Sequence, residues 1–292
     1  MGKPILGPDP LVEHLKRQGF ASVRDFLEVI ARFPQVLPAF ARAGYLWMRD
    51  DRSLTIDSRA IADVGRLLED QASRDVLSRV VRFRASLDAA DYVHPDGAVE
   101  YFPGDVPVFD GLERLRFIDC GAFVGDTLDD LIDHTPVPVD IVASFEPDRA
   151  NLSRLAEAVV RLRRSSPECR FLLYPCGAWS EIGLIGFAGG GSSSSRLEEA
   201  GGEAVPVVCL DLAVSGMAPN FIKLDIEGAE MQALDGARGI ITEFRPHLAV
   251  CVYHRPADLW EIPLAISAMR PDYRFFLRQH GHMGTGLVLY AL

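Results

Sequence analysis

Basic charge is scarce in this sequence. Lysine and arginine number 30 against 41 aspartates and glutamates, a formal net charge of −11. A polyanionic partner such as DNA or RNA is therefore not expected, because its binding would have to overcome long-range repulsion. The densest basic run, Arg161-Leu162-Arg163-Arg164, follows an apolar helical pattern and reads as a solvated helix end. Cysteine is equally sparse. The five present form no Cys-x-x-Cys pair and sit mostly in apolar segments, as Cys209 and Cys251 do. That pattern argues against a disulfide framework or a zinc site and for buried, reduced thiols. No apolar run approaches the length of a membrane span. Met1-Gly2-Lys3-Pro4 lacks the apolar stretch of a secretory signal, and Leu6 stands where a myristoylation motif needs Ser or Thr. The expectation is a soluble cytoplasmic protein with no membrane partner.

What is present is a core-forming chain, 48% hydrophobic over 292 residues, with one informative stretch. Phe117-Ile118-Asp119-Cys120-Gly121-Ala122-Phe123-Val124-Gly125-Asp126 reads as a strand ending in an acid, a glycine turn and a helix start. Ser144-Phe145-Glu146-Pro147-Asp148 reads as the next parallel strand, again ending in an acid. An α/β sheet binds a nucleoside-containing cofactor in this way, with glycines permitting close backbone approach and Glu146 accepting both ribose hydroxyls. The spacing is Asp-x-Gly-x-x-x-Gly, not the Gly-x-Gly-x-x-Gly of dinucleotide enzymes. Ala122 and Phe123 fill the space a pyrophosphate needs, and Asp119 and Asp126 put negative charge there. A phosphate-free cofactor carrying an amine and a sulfonium fits better, and S-adenosylmethionine is the first choice.

Within an N-terminal segment of residues 1–100, residues 11 to about 90 carry helical periodicity in three stripes: Val23, Phe26, Leu27 and Ile30; Ile61, Val64, Leu67 and Leu68; and Val76, Leu77, Val80, Val81 and Phe83, with arginines opposite. Pro34 and Pro38 interrupt the first. A helical N-terminal subdomain beside the carboxyl edge of the strands is expected, with Tyr101-Phe102-Pro103 walling an acceptor pocket. Residues 101–292 alternate strand and helix: strands over 116–119, 141–146, 171–174, 221–225 and 248–253, with helices between. The run Gly189 to Ser195 lies between strand-like segments 182–187 and 205–210 and reads as a lid or a solvent loop. The last two strands, 273–277 and 287–290, form a hairpin. The fold class is α/β: a doubly wound, mostly parallel sheet similar to that of class I methyltransferases, which usually close on such a C-terminal antiparallel hairpin.

Together these pieces resemble the FkbM family of S-adenosylmethionine-dependent O-methyltransferases. Besides the two stretches quoted, with Asn151 and Leu155, the resemblance rests on Leu210-Asp211 and on Phe221-Ile222-Lys223-Leu224-Asp225-Ile226-Glu227-Gly228-Ala229-Glu230. Leu234-Asp235-Gly236-Ala237, Arg245-Pro246 and His254 continue it. It covers roughly residues 100–292, so nothing transfers to the helical segment before it. Phe123 departs from the asparagine common in the family. The resemblance implies that Asp119, Gly121, Ala122, Gly125 and Asp126, with Thr127, surround the methionine end of the cofactor. Glu146-Pro147 would take the ribose, and Cys176-Gly177-Ala178 would line the adenine.

Methyl transfer requires a nucleophile held in line and relieved of its proton. Lys223, Asp225 and Glu227 alternate, so they share one side of a strand and its exit loop at the carboxyl end, where open α/β sheets keep their sites. A buried Lys223–Asp225 ion pair that only holds the strand is the alternative. Glu230 reads as a first-turn helix partner. His254 is the candidate general base, oriented by Asp225 or Glu227; a histidine bonded to a loop carbonyl is the alternative. His280 and His282 read as solvated residues of the hairpin tip rather than a metal pair. No metal is expected: Asp225 with a neighbour could hold Mg²⁺, but the spacing does not require it. The implied activity is O-methylation of a sugar, polysaccharide precursor or secondary metabolite. The acceptor is a small molecule or glycan, and a homo-oligomer is allowed. The rivals are a non-catalytic S-adenosylmethionine-binding or scaffold protein and, less favoured, a nicotinamide-dependent dehydrogenase.

Overall fold

A computed structural model describes residues 56–86, 89–95, 97–188, 196–198, 203–281 and 284–292. The first apolar stripe with its prolines, the glycine-serine run 189–195 and His282 lie outside the described residues.

The central strands are almost continuously apolar because helices cover both faces of a parallel sheet. They are β1 (Leu115–Cys120), β2 (Val139–Phe145), β3 (Arg170–Tyr174), β8 (Phe221–Leu224) and β9 (His247–Cys251). All five run parallel. The closing hairpin, β10 (Phe275–Gln279) and β11 (Leu287–Ala291), inserts its second strand antiparallel against β9. The seven-stranded order is β10-β11-β9-β8-β1-β2-β3, the doubly wound arrangement expected. Strands are added outward in opposite directions from β1 and β8. The crevice beyond their carboxyl ends is the topological switch point where such sheets bind ligands.

Helix α3 (Asp126–His134) follows β1, and α4 (Arg149–Ser165) follows β2. Asp148 caps α4, its side chain accepting from the backbone N–H groups of Ala150 and Asn151. A second, four-stranded sheet was not anticipated as a unit: β4 (Gly177–Ala178), β5 (Gly183–Ala188), β6 (Arg196–Glu198) and β7 (Glu203–Val208), in the order β4-β7-β5-β6. The short α5 (Leu210–Ala213) leads from it towards β8. The single helix expected after β8 is two, α6 (Glu230–Asp235) and α7 (Arg238–Phe244), and α8 (Asp258–Met269) precedes the hairpin.

The described part of the N-terminal helical region joins the sheet's core instead of standing apart. Helix α1 (Ser58–Leu67) packs on α8, and α2 (Gln71–Ser86) packs on the edge strand β10. Val64, Leu68, Leu77 and Val80 belong to the same hydrophobic cluster as the sheet. Buried Arg278 of β10 ties this edge down, pairing with Asp70 and Asp105 at 2.7 Å each. Arg84 departs from the solvated arginine face: it is buried, and its Nη1 donates to the Pro256 carbonyl at 3.1 Å. Phe102 lies in an aromatic core cluster with Phe109, Phe117 and Phe221, not on a pocket wall. No cysteine is disulfide-bonded, and four of the five are buried. Among the described residues no helix is long and apolar enough to cross a membrane.

Candidate active site

The turn after β1 is shaped by contact with the turn after β8. Gly121 has φ +76°, and a Cβ there would lie 1.8 Å from the carbonyl oxygen of Asp225, so only glycine fits. Its N–H and that of Ala122 donate to the Phe145 carbonyl at 3.0 and 3.1 Å, lacing the turn to β2. Gly125, at φ +91°, starts α3 against Leu155 and Ala158 of α4, where a Cβ would come within about 3 Å of both. Glu146 follows β2 directly. Its two oxygens accept from the N–H groups of Phe123 (2.9 Å) and Asp148 (2.8 Å). Burial nonetheless pushes its carboxyl up to about 7. Asn151 adds a side-chain hydrogen bond, and the carboxyl's two oxygens together still have room for a further donor.

These turns enclose a cleft at the switch point. Of the residues read from the sequence as candidates for the cofactor, Gly121, Asp126, Thr127, Glu146, Pro147, Gly177 and Ala178 line this cleft, together with Lys223, Asp225 and Glu227. Asp119, Ala122, Gly125 and Cys176 do not line it. Asp119 is fully buried beneath the floor, opposite Lys223 in the β1–β8 register, with its Oδ1 3.1 Å from Lys223 Nζ. The partner of buried Lys223 is thus Asp119 rather than Asp225. Its Nζ also donates to the Gly121 carbonyl at 2.6 Å. Burial disfavours the charge on Lys223, but Asp119 and Asp225 outweigh it and raise its pKa. Burial raises the carboxyl of Asp119, with Lys223 opposing.

Asp225 and His254 form the other corner. Tyr101 Oη donates to Asp225 Oδ2 at 2.7 Å, and the Tyr101 ring lies 5.2 Å below Lys223 Nζ. Burial opposes ionisation of Asp225, yet Lys223, His254 and Tyr101 together lower its pKa. His254 follows β9 and is buried behind the acids, off the cleft lining. Its Nε2 is 3.4 Å from Asp225 Oδ1 and 3.6 Å from Glu227 Oε2. The partner that orients it is Glu230, whose Oε1 is 2.9 Å from Nδ1 and also accepts from the Ile226 N–H at 2.9 Å. Glu230 is fully buried, so it is more than a surface partner of the α6 dipole. Burial works against a proton on His254, but Glu230 first, then Asp225 and Glu227, raise it to about 10. His280, by contrast, is half-buried with its Nε2 2.8 Å from Tyr290 Oη, and so is not a solvated tip residue.

The FkbM methyltransferase domain matches residues 119–283, more than half of the chain. The chain belongs to the FkbM methyltransferase family. The solved structure of methyltransferase FkbM from Methylobacillus flagellatus KT is similar at a TM-score of 0.67 and 30% identity, over 80% of this chain and 58% of that one. The chain therefore spans less than two thirds of that protein's length. No curated protein matches it.

Phe123, where the resemblance leads one to expect asparagine, lines the cleft with φ +47°, a left-handed conformation that costs a bulky residue more than asparagine, and its backbone N–H still serves Glu146. Two lining residues had no sequence signal of their own: Glu100 and Asp130. Glu100 enters beside Tyr101, and burial followed by the charge of Asp225 pushes its carboxyl up to about 7. A charged residue preceding the expected pocket-wall segment was the one available clue.

Proposed function

We propose that this chain catalyses methyl transfer from S-adenosylmethionine to a hydroxyl of a sugar, polysaccharide precursor or secondary metabolite. The observation that carries the reading is the charge of the cleft. Glu100, Asp126, Asp130, Glu146, Asp225 and Glu227 line it, and Lys223, the basic residue of the lining, is committed to Asp119 beneath. A diphosphate would be repelled there, whereas a ligand bearing an ammonium and a sulfonium is attracted. The residues fit such a ligand. Glu146 is set to accept the two ribose hydroxyls, Pro147, Gly177, Ala178 and Phe145 offer a flat apolar wall, and Asp126 offers a carboxylate to an amine.

S-adenosylmethionine, when bound, supplies an electrophilic methyl group on a positively charged sulfur. The protein's own work is to place a hydroxyl oxygen and take up its proton. Asp225 and Glu227 face the cleft, so the proton acceptors nearest the acceptor oxygen are carboxylates, while His254 reaches it only through them. Tyr101 fixes the rotamer of Asp225. Lys223 holds the Gly121 carbonyl, and thereby the spacing of the two turns.

The test has two arms. S-adenosylhomocysteine should raise the melting temperature and NAD should leave it unchanged, since a ligand selective for the native state stabilises it by mass action. A shift with NAD alone would overturn the cofactor assignment. Mass spectrometry of cell extracts incubated with the protein and isotopically labelled S-adenosylmethionine should reveal a labelled product whose label survives on oxygen; a label found only on nitrogen or carbon would remove the hydroxyl acceptor.

A further inference from the structure

The corner behind the cleft carries more than proton transfer needs. His254 has a side chain only 3% exposed, and neither of its ring nitrogens has a well-directed hydrogen-bond partner, although Glu230 Oε1 lies 2.9 Å from Nδ1. Its Nε2 points between Asp225 Oδ1, also without a hydrogen-bond partner, and Glu227 Oε2, at 3.4 and 3.6 Å. These separations are long for hydrogen bonds but suit two ligands sharing one ion. With metal–ligand bonds of about 2.0–2.2 Å, donor atoms in tetrahedral or octahedral arrangement stand roughly 3.0–3.5 Å apart. Donor atoms of all three residues lie within 4.8 Å of one another.

The surroundings are those of a ligand set. Glu230 Oε1 sits against Nδ1 at 2.9 Å, the outer carboxylate that fixes a metal-bound imidazole and leaves Nε2 for the ion. Glu227 is held at φ +57°, a strained conformation for a non-glycine residue, with its carboxylate in the cleft lining beside Asp225. Asp225 and Glu227 face the cleft and His254 closes the rear, so an ion here would keep open positions towards the cleft.

We propose that Asp225, Glu227 and His254 bind one divalent cation, with Glu230 as the positioning residue of His254. One imidazole and two carboxylates with open positions favour a first-row ion such as Mn²⁺, Fe²⁺ or Zn²⁺ over Mg²⁺, which prefers oxygen ligands and its own waters. The ion's use in catalysis rests on the methyl-transfer reading; its binding does not. In that use it would hold the acceptor oxygen and acidify its hydroxyl, and with Asp225 and Glu227 then serving as ligands the proton would pass to a cleft carboxylate outside the ligand set, Glu100 or Asp126.

The experiment needs neither cofactor nor acceptor. Full-length protein freed of metal with EDTA should bind one Mn²⁺ per chain, read as loss of the free-ion paramagnetic resonance signal. His254→Ala and Glu227→Gln should each weaken binding at least tenfold with an unchanged circular dichroism spectrum, and Glu230→Gln should weaken it by a smaller factor. If a variant does not fold, the wild-type protein decides: ¹⁵N-histidine spectra should show Nε2 of His254 shifting on addition of Zn²⁺. Absence of both Mn²⁺ and Zn²⁺ binding at millimolar concentration, or Mn²⁺ binding indifferent to a folded His254→Ala variant, would overturn the site. Neither outcome touches S-adenosylhomocysteine binding, so the two readings fail separately.

Discussion

Replacing Lys223 by methionine removes one charge and little volume, and the structure assigns it a large cost. Lys223 and Asp119 are both buried, 3.1 Å apart, and neither oxygen of Asp119 has another hydrogen-bond partner. Removing one member of a buried pair leaves an uncompensated charge and typically costs about 3–5 kcal/mol. The Gly121 carbonyl also loses its 2.6 Å donor. The orphaned Asp119 escapes part of the cost by taking up a proton, since burial already pushes its pKa upward. A carboxyl whose folded pKa exceeds its unfolded value contributes most below the unfolded value, about 4, and loses that contribution as pH rises through the folded value. The deficit of Lys223→Met relative to wild type should therefore be near its full size at pH 8 and smaller at pH 5. Urea unfolding followed by tryptophan fluorescence at the two pH values measures it. Asp119→Asn combined with Lys223→Met should recover about half of the loss, because a neutral amide replaces the stranded charge. A single variant within about 1 kcal/mol of wild type at pH 8, with the same denaturant slope, would refute the claim that Asp119 is left as an uncompensated buried charge without Lys223.

Four further outcomes are expected. Glu146→Ala should weaken S-adenosylhomocysteine binding by about 1–3 kcal/mol in calorimetry, the scale of hydrogen bonds to a charged group; unchanged affinity would remove Glu146 as the ribose ligand. Tyr101→Phe deletes the 2.7 Å bond to Asp225 and should cost about 1 kcal/mol of stability while lowering kcat with KM little changed; a raised KM with kcat unchanged would make Tyr101 a binding residue. Phe123→Asn should gain about 1 kcal/mol of stability by relieving the left-handed backbone, a gain that thermal unfolding without ligand would detect. Arg278 holds the carboxyl of Asp70 down at about 2, despite partial burial, so stability from this contact should be present above pH 4 and lost as pH falls from about 4 to 2; the hydrogen-exchange protection factors of α2, corrected for the intrinsic rate at each pH, should fall in that window in the wild type and already be low at pH 7 in Arg278→Met.

Most of the sheet was legible because its strands are short apolar runs punctuated by acids and glycines, and a parallel sheet leaves few other ways to bury them. The Asp-x-Gly-x-x-x-Gly turn, Glu146 and the Lys223-x-Asp225-x-Glu227 alternation all mark strand ends, which is why sequence spacing located the cleft. Boundaries moved by a residue or two, as at β9, where His247 is already in the strand. In the second sheet β5 pairs with both β6 and β7, and the sequence hid its edges: β4, Gly177–Ala178, and β6, Arg196–Glu198, are too short to carry a pattern. The location of α1 and α2 was hidden for a different reason. Their apolar stripes announce a buried face, but which surface they cover is decided by β10, about 200 residues later, through Arg278 and the Leu68–Phe275 bridge.

Register explains why the partners of the charged residues were harder to name than the residues themselves. Alternation along β8 places Lys223 and Asp225 on one side, which suggests that they pair with each other. The parallel β1–β8 register instead sets Asp119 directly across from Lys223, and that leaves Asp225 free to turn towards Tyr101 and His254. The surroundings of His254 are likewise invisible along the sequence. A histidine at a strand end beside a cleft reads as a base, yet Glu230 on the next helix takes its Nδ1 and the two cleft acids face its Nε2. An imidazole clamped by three carboxylates is better suited to keep a positive charge at that point, proton or metal ion, than to accept a proton from the cleft. The sequence spacing carries the identity of every group in this corner. Only the strand register determines which acid ends up facing which cation, and that pairing decides the chemistry the corner can perform.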